Sequence, residues 1–185
     1  MNPILADSAA ATDVALVARV VSTDDRAAFE LLVRRHQSPL RNFLRRLTRE
    51  DAARADDLAQ EALIKAYRAL SGFRGEASFR SWLYSIAYRA FLNDERGRYP
   101  HTEFDEAAHS PVTDSTTRWD DLTDIDRALA GLTPRQQAVF DLHYRKGMTH
   151  AEIALALQVP LGTVKSDLTR GCARLRELLD LSEPA

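Results

Sequence analysis

The chain has 185 residues, enough for one ordinary domain or two small ones. Hydrophobic residues make up 45% of it, and with only seven glycines and seven prolines the composition favours helices around a buried core. Cys172 is the single cysteine, which excludes an internal disulfide and fits a reducing, cytoplasmic location. No apolar run approaches the ~18 residues of a membrane span, and the first residues do not follow the pattern of a signal peptide.

The charge is unevenly distributed along the chain. Residues 99–126 hold eight acids against Arg118 alone, a net charge of −7, so the remainder carries +5 although the whole chain carries −2. Residues 99–121 also contain two prolines and little apolar periodicity, which is typical of a flexible linker. The near-neutral total therefore averages over parts of opposite charge, and a nucleic-acid partner is not excluded.

Helical periodicity on both sides of this acidic segment predicts an all-α fold of two small helical domains. We expect an N-terminal tail over residues 1–21, a first domain over 22–98, a flexible acidic linker over 99–121 and a second domain over 122–185. Within the first domain, helix breaks are predicted at Ser38-Pro39, near residues 49–51 and at residues 72–75.

The predicted helix over residues 52–70 separates two faces. Its core stripe comprises Ala59, Ala62, Leu63, Ala66, Tyr67 and Leu70. The opposite stripe holds Asp57, Gln60, Glu61, Ile64 and Arg68. An acidic cluster beside an outward isoleucine suits docking onto a partner. A solvated helix face with one stray isoleucine explains the same spacing equally well.

The next predicted helix, over residues 78–96, carries two aromatic stripes. The expected core stripe comprises Phe79, Trp82, Leu83, Ile86 and Ala90. A second stripe comprises Tyr84, Tyr88 and Phe91, with Arg80, Arg89 and Asn93 nearby. Rings interleaved with cations suit single-stranded DNA, because bases stack on the rings while the cations meet phosphates. On spacing alone, however, an aromatic stripe on a helix is more often core.

The C-terminal block predicts a helix-turn-helix. Thr133-Pro134-Arg135-Gln136 and Thr149-His150-Ala151-Glu152 both have the pattern of a helix N-terminus, and a turn is predicted at residues 158–160. The outward side chains of the following helix are Thr163, Lys165, Ser166, Thr169, Arg170 and Arg174. Short hydroxyls and cations at the exposed start of a second helix suit a DNA major groove. A three-helix bundle with a basic face is the alternative.

Gln158 is unusual at the turn, where the first helix of such a motif ends. A left-handed residue is needed there, and glycine is the usual choice. We therefore expect either backbone strain at Gln158 or a different turn geometry.

Four segments together resemble the extracytoplasmic-function (ECF) group of the sigma-70 family. Residues 56–67 (DDLAQEALIKAY) resemble its core-polymerase-binding segment, and residues 71–84 (SGFRGEASFRSWLY) its promoter-melting and −10 segment. Residues 132–136 (LTPRQ) and 162–166 (GTVKS) resemble its −35-binding domain. The segments occur in the family's order and spacing, over about residues 22–98 and 122–181.

The resemblance implies a role for each surface. The residues that it assigns to core-polymerase binding are Asp56, Asp57, Gln60, Glu61 and Ile64. Those that it assigns to −10 binding and melting are Phe73, Arg74, Ser78, Phe79, Arg80, Trp82, Tyr84, Tyr88 and Arg89, with residues 73–80 gripping a flipped base. The six outward side chains of the predicted recognition helix then contact the −35 element.

The partners implied by the resemblance are core RNA polymerase, through its clamp and flap, and promoter DNA, double-stranded at −35 and melted at −10. The resemblance also implies an anti-sigma factor, and it implies that the acidic linker threads a basic polymerase channel. No membrane span and no cofactor are expected.

Two positions depart from the family's pattern. Asp167 follows Lys165-Ser166 where the family often has arginine. We expect this carboxylate to pair with Arg170 or Arg174, or to accept a hydrogen bond from a cytosine amino group. Residues 88–91 lack the asparagine that the family frequently has there, which leaves the −10 preference open.

The function predicted from these features is that of a non-catalytic sigma factor. A stand-alone DNA-binding regulator that uses only the helix-turn-helix is the rival, and such proteins normally dimerise on two half-sites. An enzyme is disfavoured because the sequence has no nucleophile–base grouping, no phosphate loop and no Cys/His spacing of a zinc site.

Overall fold

The computed structural model describes residues 12–98 and 124–179. Within these ranges every regular element is helical. The N-terminal domain comprises α1 (Asp13–Thr23), α2 (Arg26–Leu47), α3 (Ala52–Ala69), a 3-10 turn (Leu70–Gly72) and α4 (Phe79–Arg98). The C-terminal domain comprises α5 (Asp124–Ala130), α6 (Pro134–Phe140), a π-helical turn (Asp141–Arg145), α7 (His150–Leu157) and α8 (Leu161–Leu178). The predicted all-α fold is confirmed there, whereas the acidic linker over 99–121 lies outside the described residues.

The predicted helix starts of the C-terminal domain are confirmed in detail. The Thr133 hydroxyl accepts the backbone N–H of Gln136, whose side chain accepts the backbone N–H of Thr133 in return. Thr149 and Glu152 form the same reciprocal pair at the start of α7. Each pair satisfies two of the four N–H groups that lack a partner within the helix, which fixes where the helix begins.

The predicted N-terminal tail is wrong from residue 13 onward, because α1 occupies Asp13–Thr23. Leu16, Val17 and Val20 lie on one side of this helix and are buried in the domain core. The Asp13 carboxylate ties the start of α1 to α2 by accepting hydrogen bonds from Arg35 and His36. Residues 1–11 lie outside the described ranges.

The predicted break at Ser38-Pro39 is also wrong, because α2 runs through Pro39 without interruption. Proline removes one backbone hydrogen bond from a helix, but the following turn buries Leu40, Phe43 and Leu44 completely. The free energy gained by burying these side chains exceeds the cost of the backbone hydrogen bond that Pro39 removes, so the helix continues. The predicted breaks near residues 49–51 and 72–75 are confirmed, with positive φ at Arg49 and Glu50 and at Gly75.

Helix α4 lies at the centre of the N-terminal domain, against α2 and α3. The α3 face towards it is built of small residues, including the fully buried Ala55, Ala62 and Ala66, so the backbones can approach closely. Arg54 on α3 bridges to Asp94 and Glu95 on α4, and its guanidinium lies over the Phe91 ring. Of the α3 core stripe predicted from the sequence, Ala59, Ala62, Ala66 and Leu70 are buried, whereas Leu63 and Tyr67 are only half-buried.

The helix-turn-helix consists of α7, a turn and α8. Gln158 ends α7 in the left-handed conformation, with φ 57° and ψ 44°, and its N–H donates to the Ala154 carbonyl. The predicted need for a left-handed residue is therefore confirmed, and a glutamine meets it. Val164 and Leu168 turn inward as expected, whereas Leu161 and Leu178 at the two ends of α8 are exposed.

Candidate functional site

The predicted docking face lies along the exposed side of α3. Its members are all exposed: Asp56, Asp57, Gln60, Glu61 and Ile64. Ile64 keeps 44% of its surface accessible although it lies on a well-packed helix. Asp56 pairs with Arg41 Nε on α2 at 3.3 Å, and Glu61 pairs with Lys65 one turn further along α3. The face is thus acidic along most of its length, with an apolar centre.

A groove of about 510 Å³ runs beside this face, between α2 and α3. It is lined by Arg26, Phe29, Arg41, Gln60, Leu63, Ile64 and Tyr67. The Phe29 and Tyr67 rings pack together in its wall with their centroids 4.8 Å apart. The contribution of α2 to this groove was not predicted from the sequence. Periodicity identifies the exposed side of a helix but does not show which neighbouring helix lies beside that side. The exposed isoleucine therefore borders an apolar cleft and is not isolated.

The loop before α4 leads into a compact aromatic cluster. Phe73 and Trp82 are half-buried and Phe79 is buried, with ring centroids 5.1–6.3 Å apart. Arg74 and Ser78 are exposed. The Ser78 hydroxyl accepts the Ser81 backbone N–H at 3.1 Å, which caps the first turn of α4. The aromatic cluster thus anchors the loop through Phe73, while the charged Arg74 side chain remains accessible.

The second aromatic stripe of α4 is buried in this structure. Tyr84 is 2% exposed and Tyr88 1% exposed; the Tyr84 ring meets Phe43 edge-on, and Tyr88 stacks with Phe91. The core interpretation of this stripe is the one observed, because α4 is covered by α2, by α3 and by α7 of the other domain. Arg89 is exposed and points away from these contacts.

The two domains meet where Arg80 and Tyr84 lie. Helix α7 packs on α4, and α6 packs on α2. Arg80 donates to the Lys146 carbonyl at 3.2 Å and lies 3.9 Å from Glu152. Part of the surface that the resemblance assigns to −10 DNA is therefore covered by the C-terminal domain.

An ion pair is buried at this domain contact. Arg46 of α2 donates to the Asp141 carboxylate at 2.7 Å, and the Asp141 side chain is only 4% exposed. Burial raises the pKa of Asp141, although Arg46, Lys146 and Arg145 oppose that shift. Burial likewise raises the pKa of the Tyr84 hydroxyl and lowers that of Lys146. Asp141 Oδ2 and the Tyr84 hydroxyl have no hydrogen-bond partner among the described residues, so the contact contains unsatisfied polar groups.

The predicted −35 side chains lie on the outer side of α8. Lys165, Thr169, Arg170 and Arg174 are exposed, and Thr163 and Ser166 are half-buried. The Ser166 and Thr169 hydroxyls donate to the carbonyls of Thr163 and Lys165 within the helix, both at 3.0 Å. The structure thus brings the six residues onto one surface, and the cations project furthest from it.

Asp167 is buried beneath this surface and is 1% exposed. Its carboxylate accepts Arg135 Nε at 2.7 Å and Arg170 Nη2 at 2.8 Å. Of the expectations stated for it, pairing with Arg170 is confirmed, whereas Arg174 pairs instead with Glu177. A hydrogen bond to cytosine is excluded in this conformation because the carboxylate does not reach the surface. The pairing with Arg135 was not predicted, since Arg135 lies 32 residues earlier.

Comparison with known proteins identifies the family. Residues 32–98 match the family described as Sigma-70 region 2, and residues 122–175 match Sigma-70, region 4. The chain is 36% identical to the RNA polymerase sigma-H factor of Pseudomonas aeruginosa over 91% of this chain and 92% of that one. It is 36% identical to the ECF RNA polymerase sigma factor SigM of Mycobacterium tuberculosis over 91% and 85% of the two chains.

A solved structure shows the same fold. The sigma factor RpoE of Bartonella quintana, in complex with the anti-sigma factor NepR, superposes with a TM-score of 0.66 at 25% identity, covering 84% of this chain and 98% of that one. This chain belongs to the ECF group of the sigma-70 family. It is an RNA polymerase sigma factor that acts in promoter-specific transcription initiation, with a region 2 domain and a region 4 domain.

The described ranges contain neither a membrane-spanning helix nor a candidate metal site. Among the helices of residues 12–98 and 124–179, none combines the length and apolarity needed to cross a bilayer. No group of three or more His, Cys, Asp or Glu side chains in those ranges is placed to hold a metal ion.

Proposed function

We propose that the α3 face is the surface by which this sigma factor docks on the clamp of core RNA polymerase. The observation that carries the proposal is the exposed Ile64 beside a 510 Å³ groove, flanked by exposed acids. An apolar centre within a charged rim is the usual composition of a protein interface. A basic, partly apolar helix on the polymerase would complement it.

A triple variant tests this docking surface. Asp57→Ala, Gln60→Ala and Glu61→Ala together are expected to weaken binding to core polymerase at least tenfold, measured by competition with a housekeeping sigma factor. Glu177→Ala, which removes an exposed acid from α8, is the control and is expected to bind normally. Unchanged binding by a folded triple variant would contradict the assignment.

We propose that −10 recognition uses the loop at residues 73–78, the exposed face of α4 and, after the domains separate, Arg80 and Tyr84. The positions −10 and −35 are about 25 base pairs apart, which corresponds to about 85 Å at 3.4 Å per base pair. Two domains in contact cannot reach both. The 25 residues between Arg98 and Asp124 can span about 80 Å when extended, so the chain permits the separation. Tyr88 remains core unless α4 itself repacks.

We propose that the α8 surface enters the major groove of the −35 element and that Lys165, Arg170 and Arg174 make its charged contacts. Arg170→Ala is expected to weaken −35 binding by about 1–3 kcal/mol and to relax the preference at one base pair if Arg170 reads a base. A uniform loss across all sequences, with a shallower salt dependence, would make it a phosphate contact instead.

We also propose an anti-sigma factor as a partner, since the Bartonella quintana relative was solved with one. The protein would act in the cytoplasm, where the polymerase is, and without catalysis of its own. If the folded chain does not bind core polymerase but binds duplex DNA as a dimer, the result would favour the alternative hypothesis of a stand-alone DNA-binding regulator.

A further inference from the structure

A buried carboxylate lies directly beneath the surface proposed to read the −35 element. Asp167 is on α8, within one turn of Arg170, yet its side chain is only 2% exposed. An ionised carboxylate is expensive to bury unless charged hydrogen bonds compensate. Arg135 and Arg170 both supply such bonds, and together they offset the cost of burying the carboxylate.

The two arginines differ in what they can do. The Arg135 side chain is 15% exposed and joins the start of α6 to α8. The Arg170 side chain is 61% exposed, so one corner of its guanidinium is held by the buried carboxylate while its remaining N–H groups face solvent. Arg170 Nη2 also lies 3.3 Å from the Ser166 hydroxyl. Both bonds are donated by Nη2, so this corner of the guanidinium is held by two acceptors on the protein side.

Holding a long side chain in advance improves recognition. A free arginine gives up rotamer freedom when it binds, and its planar fork reads a base edge only in one orientation. Arg174 makes a contrasting pair with Glu177, in which both side chains are more than half exposed. An exposed pair of this kind gives little fixed orientation, because water and salt compete for both partners.

Given the proposed role of Arg170, on which this inference rests, we propose that Asp167 is a positioning residue. It orients the Arg170 guanidinium towards one base pair of the −35 element and does not touch DNA itself. The pairing of Arg135 with Asp167 links α8 to α6 and supports the fold. A carboxylate at this position in a DNA-reading helix therefore sharpens sequence preference, although its charge opposes binding to phosphate.

The test uses the full chain bound to core polymerase. The holoenzyme selects promoters from a pool in which the −35 element is randomised, and sequencing gives the base preference at each position. Asp167→Asn and Arg170→Ala are expected to flatten the preference at the same position, each by about tenfold. Glu177→Gln is the charge-matched control, since it removes one negative charge from the same helix, and it is expected to leave the profile unchanged.

A second pair of variants separates positioning from support of the fold. Arg135→Met breaks the link between α6 and α8 but leaves the Asp167–Arg170 pair, so it is expected to lower the melting temperature while keeping most of the preference. Asp167→Glu keeps the charge and displaces the carboxylate by one carbon, and it is expected to weaken the same preference even if Asp167→Asn fails to fold.

The outcomes are distinguishable. If Arg170→Ala flattens one position while folded Asp167→Asn and Asp167→Glu do not, the positioning role is wrong and the proposed role of Arg170 stands. Equal flattening by Arg135→Met and Asp167→Asn would overturn the positioning role in favour of a structural one. An Arg170→Ala profile that matches the unaltered protein would contradict the base-reading role of Arg170, and this inference with it.

Discussion

Gln158 adopts the left-handed conformation at the end of α7, a position where glycine is the usual residue. It adopts φ 57° with an exposed side chain that lies beyond the end of α7. The left-handed conformation costs an ordinary L-residue about 1–2 kcal/mol, and glycine avoids that cost while losing about 0.5–1 kcal/mol more backbone entropy on folding. The cost of the left-handed conformation slightly exceeds the entropy cost of glycine, so glycine is favoured at this position.

We therefore expect Gln158→Gly to stabilise the C-terminal domain by about 0.5 kcal/mol, measured by urea unfolding. Gly147 is the matched control, because it has φ +63° with open space around the Cβ position. Gly147→Ala is expected to destabilise the domain. Loss of stability in Gln158→Gly would show that its side chain contributes more than the backbone strain costs.

His36 is held neutral at the joint between α1 and α2. Its Nε2 lies 2.8 Å from Asp13 Oδ2, which favours protonation, but burial lowers the pKa by more, and Arg35 and Arg80 lower it further. The bond is best described as a neutral imidazole donating to a carboxylate. Because the folded pKa lies below the unfolded value, the contribution to stability is present above about pH 6.5 and is lost as the pH falls.

The resulting prediction concerns acid stability. The melting temperature of the full chain should fall between about pH 7 and about pH 5.5, and His36→Gln should fall less over the same interval. His150→Gln is the control, as a half-buried histidine of the other domain. A His36→Gln variant with the same pH dependence as the unaltered chain would contradict the account.

At the scale of the elements, α6 and α8 approach so closely that a glycine is required. A Cβ built at Gly171 would lie 2.4 Å from Phe140 Cε2, whereas one built at Gly162 on the same helix would meet nothing within 4 Å. Both lie in α8, so the difference between them comes from packing and not from helix propensity.

Gly171→Ala is expected to destabilise the C-terminal domain by about 1–3 kcal/mol, because it overpacks the contact with the Phe140 ring. Gly162→Ala should be neutral or stabilising, since alanine is the better helix former. Urea unfolding of the two variants provides the comparison. Similar midpoints for both would show that α6 and α8 can move apart without cost.

The sequence predicts where the helices begin and end better than it predicts which residues of different helices contact each other. The reciprocal caps at Thr133 and Thr149 are local, so the residue types alone identify them. Pro39 was expected to break α2, but its helix is stabilised by core contacts that no local rule contains. The groove beside Ile64 and the Arg135–Asp167 pair were missed for the same reason, because both join residues that are far apart in the chain.

At the scale of the whole molecule, the contact between the two domains combines the packing of α7 on α4 with a buried ion pair that is poorly satisfied. The ion pair between Arg46 and Asp141 joins α2 to the π-helical turn, and the second Asp141 oxygen is buried without a partner. An ion pair of this kind favours one arrangement of the domains but adds little to its stability. That balance suits a protein whose domains must separate to reach two distant DNA elements.

Arg46→Ala should shift the free protein towards the separated form. Removal of the cation leaves the buried Asp141 carboxylate with Arg145 Nε, 4.0 Å away, as its remaining ion-pair partner. The loss is expected to cost about 3 kcal/mol, which separation of the domains relieves by admitting water. The radius of gyration of the full chain, measured by small-angle X-ray scattering, should increase. Arg45→Ala is the control because Arg45 pairs with Glu50 inside its own domain. An unchanged radius in Arg46→Ala would contradict a role for the pair in holding the domains together.

The most direct test of the account measures the distance between the domains during initiation. Fluorophores are attached to Val14→Cys and Arg176→Cys, both exposed positions, in a chain that also carries Cys172→Ala. Energy transfer between them should be high in the free protein and should fall when core polymerase and promoter DNA are added. Transfer that stays high in a complex competent for transcription would contradict the central claim that the two domains separate to read the −10 and −35 elements.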